Sequence, residues 1–131
     1  MNNQHIHFCN INSITAKGKL QQIRTVLSSS PRPCILALCE TKHSAAPRVA
    51  GYNTHSCTHT THSSGVLVFV DSRYPNADSG LCINCSGSMA CFVDVCLHDG
   101  FRLRVGVVYM RPSATADVVQ AVWDRVEKAC G

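Results

Sequence analysis

The apolar and polar positions near the start of the chain predict a strand, a helix and a second strand. Residues 5–10, "HIHFCN", alternate between two faces as a strand does. Residues 15–30 repeat their apolar positions at helical spacing, and Thr15 or Ser13 is the expected cap. The run "CILALCE" that follows is apolar on both alternating faces, which is typical of a strand covered on both sides. This order predicts a right-handed crossover between parallel strands, which places both strand ends at one edge of a sheet.

The middle of the chain predicts further strands separated by turns. Residues 65–71 form a continuous apolar run, and residues 91–97 and 101–109 are two more strands joined by "HDG" as a hairpin. Residues 72–80 are rich in Pro, Asn, Asp and Gly, which predicts a turn. Residues 43–64 predict a loop with at most one short strand, "GYNTHS".

The end of the chain predicts a second helix. It covers residues 115–129 and is begun by Thr115 or Asp117. Its inward stripe is expected to consist of Val118, Ala121, Val122, Arg125 and Val126. The whole pattern predicts an α/β (α+β) fold with one mixed β-sheet and both helices on one face of it.

Length, charge and cysteine content narrow the class of protein. A chain of 131 residues suits one domain with a substantial core. The net charge of +4 permits a polyanionic partner without requiring one. Nine cysteines, an odd number, favour a reducing compartment over a disulfide framework. Neither a signal peptide nor a run of ~20 apolar residues is visible. We therefore expect an intracellular protein of the nucleus or cytoplasm, with no membrane partner.

Three polar residues stand at the ends of predicted strands. These are Asn10, Glu40 and Tyr109. In open sheets, ligands bind at the crevice beyond the carboxyl ends of the strands. A lone carboxylate beside an amide oxygen suits Mg²⁺, which keeps several waters and takes one or two carboxylates from a protein. A tyrosine hydroxyl nearby has the chemistry to donate to a phosphate oxygen. For any one of the three alone, a structural role as a loop cap or core residue is the commoner case.

Four stretches of the sequence, in order, resemble the endonuclease/exonuclease/phosphatase superfamily. They are "FCNINSITAKGKLQQIRTVLSSSPRPCILALCETK", "AGYNTHS", "SSGVLVFVDSRYP" and "LRVGVVYMRPSA". Within the superfamily, the sequence is most similar to endonuclease domains of non-LTR retrotransposons. The resemblance covers nearly the whole chain but only the N-terminal part of the family's domain. It implies a four-layer αββα sandwich, of which this chain would form the first half.

The resemblance also implies roles for individual residues. Asn10 matches the family's first active-site asparagine, and Glu40 matches the glutamate that binds the divalent metal ion. Tyr109 matches the tyrosine that contacts the scissile phosphate, and Asn12 is a neighbouring polar position assigned to substrate binding. The implied cofactor is Mg²⁺ or Mn²⁺, held weakly. The implied partners are DNA, for a complete domain, and a reverse-transcriptase domain in the same parent polyprotein.

The family's later elements are absent from the sequence. Neither Gly-Asp-x-Asn nor Ser-Asp-His, which position and activate the attacking water, occurs in it. We therefore expect residues 1–131 to be a single truncated domain that lacks its C-terminal half and is inactive alone. With its second sheet largely missing, the isolated chain is expected to expose an apolar inner face and to self-associate. A non-catalytic remnant of a mobile element is an alternative that also explains the missing half.

A small zinc module is the other alternative. Cys82 and Cys85 form "CINC", and the segment before them contributes thiol and imidazole groups at His55, Cys57, His59 and His62. The spacing of this second group is not typical of a zinc finger. The other cysteines lie mostly in apolar strands, where they are expected to be small core residues.

Overall fold

A computed structural model describes residues 5–43, 45–58, 65–74, 76–97 and 100–130, without the side chains of residues 58 and 76–80. These residues form seven strands and two helices. In chain order they are β1 (Ile6–Asn10), α1 (Lys19–Ser28), β2 (Ile35–Cys39), β3 (Tyr52–Thr58), β4 (Gly65–Asp71), β5 (Asn76–Cys85), β6 (Ser88–Cys96), β7 (Arg102–Tyr109) and α2 (Ala116–Cys130).

The strands form two sheets, and the expectation of one mixed sheet is wrong. The first sheet has the order β1-β2-β4-β3, and the second has the order β5-β6-β7. In the first sheet, β1 and β2 are parallel, with Ile6 opposite Ile35 and Asn10 opposite Cys39, as the crossover predicted. All other pairs are antiparallel. The apolar pattern of a strand identifies a buried face but not the sheet to which the strand belongs, which is why the division was missed.

The inner faces of the two sheets pack against each other to form the main core. The first sheet contributes alternate residues of β2 and β4, and the second contributes alternate residues of β6 together with Val107 of β7. The buried members include Ile35, Ala37, Cys39, Val66, Val68, Val70, Met89, Cys91, Val93 and Val95. Their burial is the principal stabilising contribution of the sandwich.

The helices cover the two outer faces, one on each sheet. Ile23 and Leu27 of α1 pack on outward residues of the first sheet, such as Leu36. Val126 of α2 packs on the outer face of the second sheet, beside Phe92. The layers are therefore helix, sheet, sheet and helix, which confirms the expected αββα order. The expectation of both helices on one face is wrong because each helix follows strands of a different sheet.

The helix boundaries and stripes differ in part from the predictions. Helix α1 begins only at Lys19, after Gly18, whose φ of +82° lies in the left-handed region that favours glycine. Ser13 and Thr15 do not cap it, since their hydroxyls bond to each other at 2.8 Å. In α2, the Thr115 hydroxyl accepts from a first-turn amide as predicted. The inward side of α2 is centred on the fully buried Val122 and includes Val126, whereas Ala121 and Arg125 are exposed.

The structure contradicts part of the predicted turn and confirms the predicted hairpin. Residues 76–80, expected to be part of a turn, begin β5, which pairs with β6 through an irregular register up to Leu81. The pairing of β6 with β7 confirms the predicted hairpin, although two residues of "HDG" lie outside the described residues. The short strand "GYNTHS" is confirmed as β3.

A disulfide bond joins Cys57 of β3 to Cys82 of β5, so it links the two sheets. The expectation of cysteines without disulfides is therefore wrong at this pair, while seven other cysteines are free. The bond also counts against the zinc alternative, because both sulfurs are committed to it and no group of three metal-ligating side chains occurs among the described residues. Cys85 lies three residues along the same strand from Cys82 and so faces the opposite side of the sheet. His59 and His62 lie outside the described residues.

The second sheet covers the inner face of β2 and β4, so the expectation of an exposed apolar inner face is wrong for most of the first sheet. The exception is β1, where Ile6 and Phe8 share the inner face with Ile35 and Ala37, their register partners. Ile6 is 49% exposed and Phe8 is 62% exposed. Within the described residues, neither helix is long and apolar enough to cross a membrane.

Candidate functional site

The ends of β1 and β2 are held side by side by the backbone beyond the strands. Asn10 lies opposite Cys39, the residue before Glu40. Three further backbone bonds continue this pairing: Ile11 N–H to Cys39 O (3.2 Å), Ser13 N–H to Glu40 O (2.7 Å) and Ile14 N–H to Thr41 O (2.8 Å). The loop after β1 and the loop after β2 are therefore one connected structure, as the crossover predicted.

Glu40 turns toward the second sheet because its backbone leaves the strand conformation. In β2, Leu36 and Leu38 face α1, while Ala37 and Cys39 face the second sheet. Regular alternation would direct Glu40 outward with the leucines. Its φ of +53° breaks the alternation. The carboxylate instead accepts a hydrogen bond from the Tyr109 hydroxyl, with 3.1 Å between the oxygen atoms.

Tyr109 reaches Glu40 from the last residue of β7 in the second sheet. Burial raises the pKa of the Tyr109 hydroxyl, and the hydrogen bond to Glu40 raises it further. The phenol therefore keeps its proton at neutral pH and remains a hydrogen-bond donor. Glu40 is half-buried and forms no salt bridge with a described residue. The structure thus brings two of the three predicted strand-end residues into direct contact.

The third strand-end residue, Asn10, orders the loop beside them. Its side-chain oxygen accepts from the backbone N–H of Asn12 at 3.2 Å. The side-chain oxygen of Asn12 in turn accepts from Lys42 Nζ at 2.8 Å. Lys42 was not singled out from the sequence, although its place two residues after Glu40 was a signal. Asn12 and Lys42 are both exposed.

Left-handed backbone conformations are concentrated at this edge. Among the described residues, five positions other than glycine have positive φ, and four of them lie here: Asn12, Ser13, Glu40 and Lys42. Such conformations cost on the order of 1–3 kcal/mol each and cluster at ligand-binding sites. Two loops of one sheet edge carry this strain together, which marks the edge as a candidate site independently of the residue types.

Arg111 adds a second cation close to Tyr109. Its guanidinium donates to the Ser86 carbonyl at 2.8 Å, and its backbone N–H donates to the Ser88 hydroxyl at 3.0 Å. These contacts tie the chain after β7 to the turn between β5 and β6 and to the first residue of β6. Arg111 was also not singled out from the sequence, in which it stands inside the quoted "VVYMRP" string.

The donor set fits a divalent ion that is held mainly by water. Glu40 supplies one carboxylate, which is within the range Mg²⁺ takes from proteins. Among the described residues, no three His, Cys, Asp or Glu side chains come together as a metal site. The buried carboxylate of Asp71 lies at the opposite end of the first sheet and is paired with Arg32 and Arg73. Glu40 alone is therefore expected to bind the ion weakly.

Comparisons with known proteins support the fold. No protein-family model matches the chain, and no curated protein does. The crystal structure of TDP2 from C. elegans matches with a TM-score of 0.61 and 12% sequence identity. The match covers 92% of this chain and 41% of that chain, so this chain spans about two-fifths of its length. TDP2 has the endonuclease/exonuclease/phosphatase fold, and at this identity the likeness shows that fold alone. The fold is one whose enzymes generally depend on a divalent metal ion.

Proposed function

We propose that this chain carries the metal- and phosphate-binding part of a divalent-metal-dependent endonuclease that hydrolyses DNA phosphodiesters. The observation that supports it most is the hydrogen bond between Glu40 and Tyr109. It joins the two sheets at an edge where the backbone is strained, and Lys42 and Arg111 follow Glu40 and Tyr109 by two residues each. The fold shared with TDP2 is that of a nuclease-type enzyme, which supports the same reaction class.

In this proposal, Glu40 is the protein ligand of Mg²⁺ or Mn²⁺. When bound, the ion polarises a phosphoryl oxygen and stabilises the negative charge of the reaction. Tyr109 orients the Glu40 carboxylate in the free chain and donates to a phosphate oxygen when substrate is present. Its neutral phenol suits that role, because a donor is required beside an anionic ligand.

The asparagines and cations bind the DNA strand. Asn10 holds the loop after β1 in position, and Asn12 contacts the substrate from that loop. Lys42 follows Glu40 by two residues and bonds to Asn12, and Arg111 follows Tyr109 by two residues. In this proposal, both provide the positive charge that a phosphodiester needs. Residues 1–131 act as one domain in this proposal.

The chain alone is proposed to be inactive. Phosphodiester hydrolysis needs a base that activates water in addition to a metal ion. Asp71 and Asp94 are both paired with arginines and lie away from the Glu40 edge. Removing such a base typically costs on the order of 10²–10⁴ in rate.

A retrotransposon origin is part of the proposal and rests on the sequence resemblance. The parent polyprotein would then carry a reverse-transcriptase domain, and the complete domain would bind DNA in the nucleus or cytoplasm. The test is to read the coding sequence downstream of codon 131. A Gly-Asp-x-Asn motif followed by a reverse-transcriptase frame is the expected finding, and an unrelated frame would contradict the origin.

Metal binding and nicking test the function of the chain itself. Paramagnetic Mn²⁺ should broaden the NMR signals of Asn10 and Tyr109, and Mg²⁺ should compete with it. Glu40→Gln should abolish the broadening, whereas Glu127→Gln on the exposed side of α2 should leave it unchanged. Nicking of supercoiled plasmid should not exceed that of Glu40→Ala. Broadening that survives in Glu40→Gln would refute the assignment of the metal ligand, and strong nicking that requires Glu40 would refute the proposed inactivity.

A further inference from the structure

A groove separates the N-terminus of α1 from the segment that follows β2, on the outer side of the first sheet. Its volume is about 480 Å³, and it is lined by residues 14–18, by the first turns of α1 and by His43, Ala45 and Pro47. Its charged lining residues are Lys17 and Arg24, and no carboxylate lines it. The groove is therefore electropositive and separate from the contact between Glu40 and Tyr109.

The start of α1 offers hydrogen-bond donors to this groove. Gly18 caps the helix without a side chain, and no acidic residue lies in the first turn. The Lys19 and Gln22 amides bond to the carbonyls of Ala16 and Gly18. The amides of Leu20 and Gln21 lie between them, and both residues line the groove. Amides at a helix N-terminus and its positive dipole end together favour an anion.

His43 provides an independent indication of a ligand. It lines the groove and is only 6% exposed. Its Nδ1 atom lies 2.5 Å from the Thr41 hydroxyl, on the side of the ring that faces Gly65. Its Nε2 atom has no hydrogen-bond partner among the described residues. When the Thr41 hydroxyl donates to Nδ1, Nε2 of the neutral ring carries a hydrogen that lacks an acceptor.

A buried donor without an acceptor costs about 1–3 kcal/mol, so a bound acceptor at this place would recover stability. An apolar residue at position 43 would not carry this cost. Apolar residues such as Ile14 and Pro47 already line the same groove. The first-turn residues of α1, the two cations and the buried His43 all line the same groove. All three kinds of group favour an oxyanion.

We propose that this groove binds a phosphoryl group, through the first-turn amides of α1, Lys17, Arg24 and the Nε2–H of His43. The size of the groove admits a phosphate together with part of the molecule that bears it. Inorganic phosphate and the phosphate of a nucleic acid strand share this chemistry. Binding does not require Glu40, so the site does not depend on the proposed endonuclease activity.

The test is an NMR titration of the whole chain with inorganic phosphate at constant ionic strength. The amides of Leu20 and Gln21 and the His43 ring should shift in a saturable manner. Arg24→Gln should weaken binding about threefold, as expected for one solvent-exposed charge. His43→Gln tests the buried donor, while Arg125→Gln on α2 and Glu40→Gln should leave the affinity unchanged. Shifts that are absent, or that are the same in Arg24→Gln and His43→Gln as in the wild-type chain, would overturn the proposal.

Short oligothymidylates with and without a 5′-phosphate identify the source of the phosphoryl group. Equal saturable shifts with both would assign the groove to phosphodiesters of a strand. Shifts with only the 5′-phosphorylated strand would assign it to monoesters. If neither strand shifts the groove while inorganic phosphate does, the ligand is a free phosphate. A shift with the strands but none with phosphate would refute a site for a single phosphoryl group.

Discussion

The Tyr109 hydroxyl donates to the Glu40 carboxylate at 3.1 Å, across the interface between two sheets and between residues 69 positions apart in the chain. The contact exists because Glu40 has a φ of +53° and so departs from the alternation of β2. A carboxylate in regular alternation would face α1, where Leu36 and Leu38 pack on the helix. The position of the candidate site thus depends on one strained residue.

The first prediction concerns the cost of that strain. Both Glu40→Ala and Glu40→Gly remove the carboxylate, but only glycine adopts a positive φ without steric cost. We expect Glu40→Gly to be more stable than Glu40→Ala by about 1 kcal/mol, measured by denaturant unfolding. The matched control is Ala37→Gly in the regular part of β2, where glycine should lower stability by roughly 1 kcal/mol. Equal stability of the two Glu40 variants would mean that the backbone is not strained there.

The sequence predicted that Asn10 and Glu40 end neighbouring strands at one edge of the sheet. It did not predict the hydrogen bond between Glu40 and Tyr109. Asn10 and Glu40 follow from the crossover, because parallel strands end at the same edge. The conformation of Glu40 did not follow, since positive φ at a residue other than glycine depends on the loops around it. Lys42 and Arg111 were missed because single cations in loops have no periodicity. The division into two sheets was also missed, since alternation identifies a buried face and not its partner.

The second prediction concerns Asp71 and acid. Asp71 is buried at the end of β4 and accepts from Arg32 Nε at 2.9 Å and from Arg73 Nη2 at 2.8 Å. Burial favours the protonated acid, but the hydrogen bonds from Arg73 and Arg32 outweigh it and lower the pKa of Asp71. A lowered pKa contributes stability above the ordinary Asp value of about 3.9, and this contribution is lost as the pH falls through the folded-state pKa.

We therefore expect Asp71→Asn to lower the free energy of unfolding by about 2 kcal/mol at pH 7, and by less in acid. The measurement is denaturant unfolding across a pH series. Asp94→Asn is the control, because Asp94 pairs with Arg104 at a more exposed place and its loss should cost less. The lowered pKa would be contradicted if the free energy of unfolding of Asp71→Asn stayed below that of the wild-type chain by the same amount down to pH 2.

The third prediction concerns the disulfide between the sheets. Cys57 and Cys82 are separated by 25 positions, and closing a loop of that size stabilises a fold by about 3 kcal/mol. Reduction of the bond by dithiothreitol should therefore lower the free energy of unfolding by about 3 kcal/mol. Cys82→Ser should have the lower stability from the start and should not respond to the reductant. Cys130→Ser, at an exposed free cysteine, should respond as the wild-type chain does.

The last prediction concerns self-association through β1. Ile6 and Phe8 lie on the inner face of the first sheet, yet the three strands of the second sheet leave them largely exposed. Among the described strands, β1 pairs only with β2, so its other edge has backbone groups available to a second copy of the chain. We expect sedimentation velocity to show association that increases with concentration, and Phe8→Lys to suppress it. Phe101→Lys, at an equally exposed aromatic residue before β7, should not. A monomer at all concentrations, or equal suppression by both variants, would contradict association through this strand.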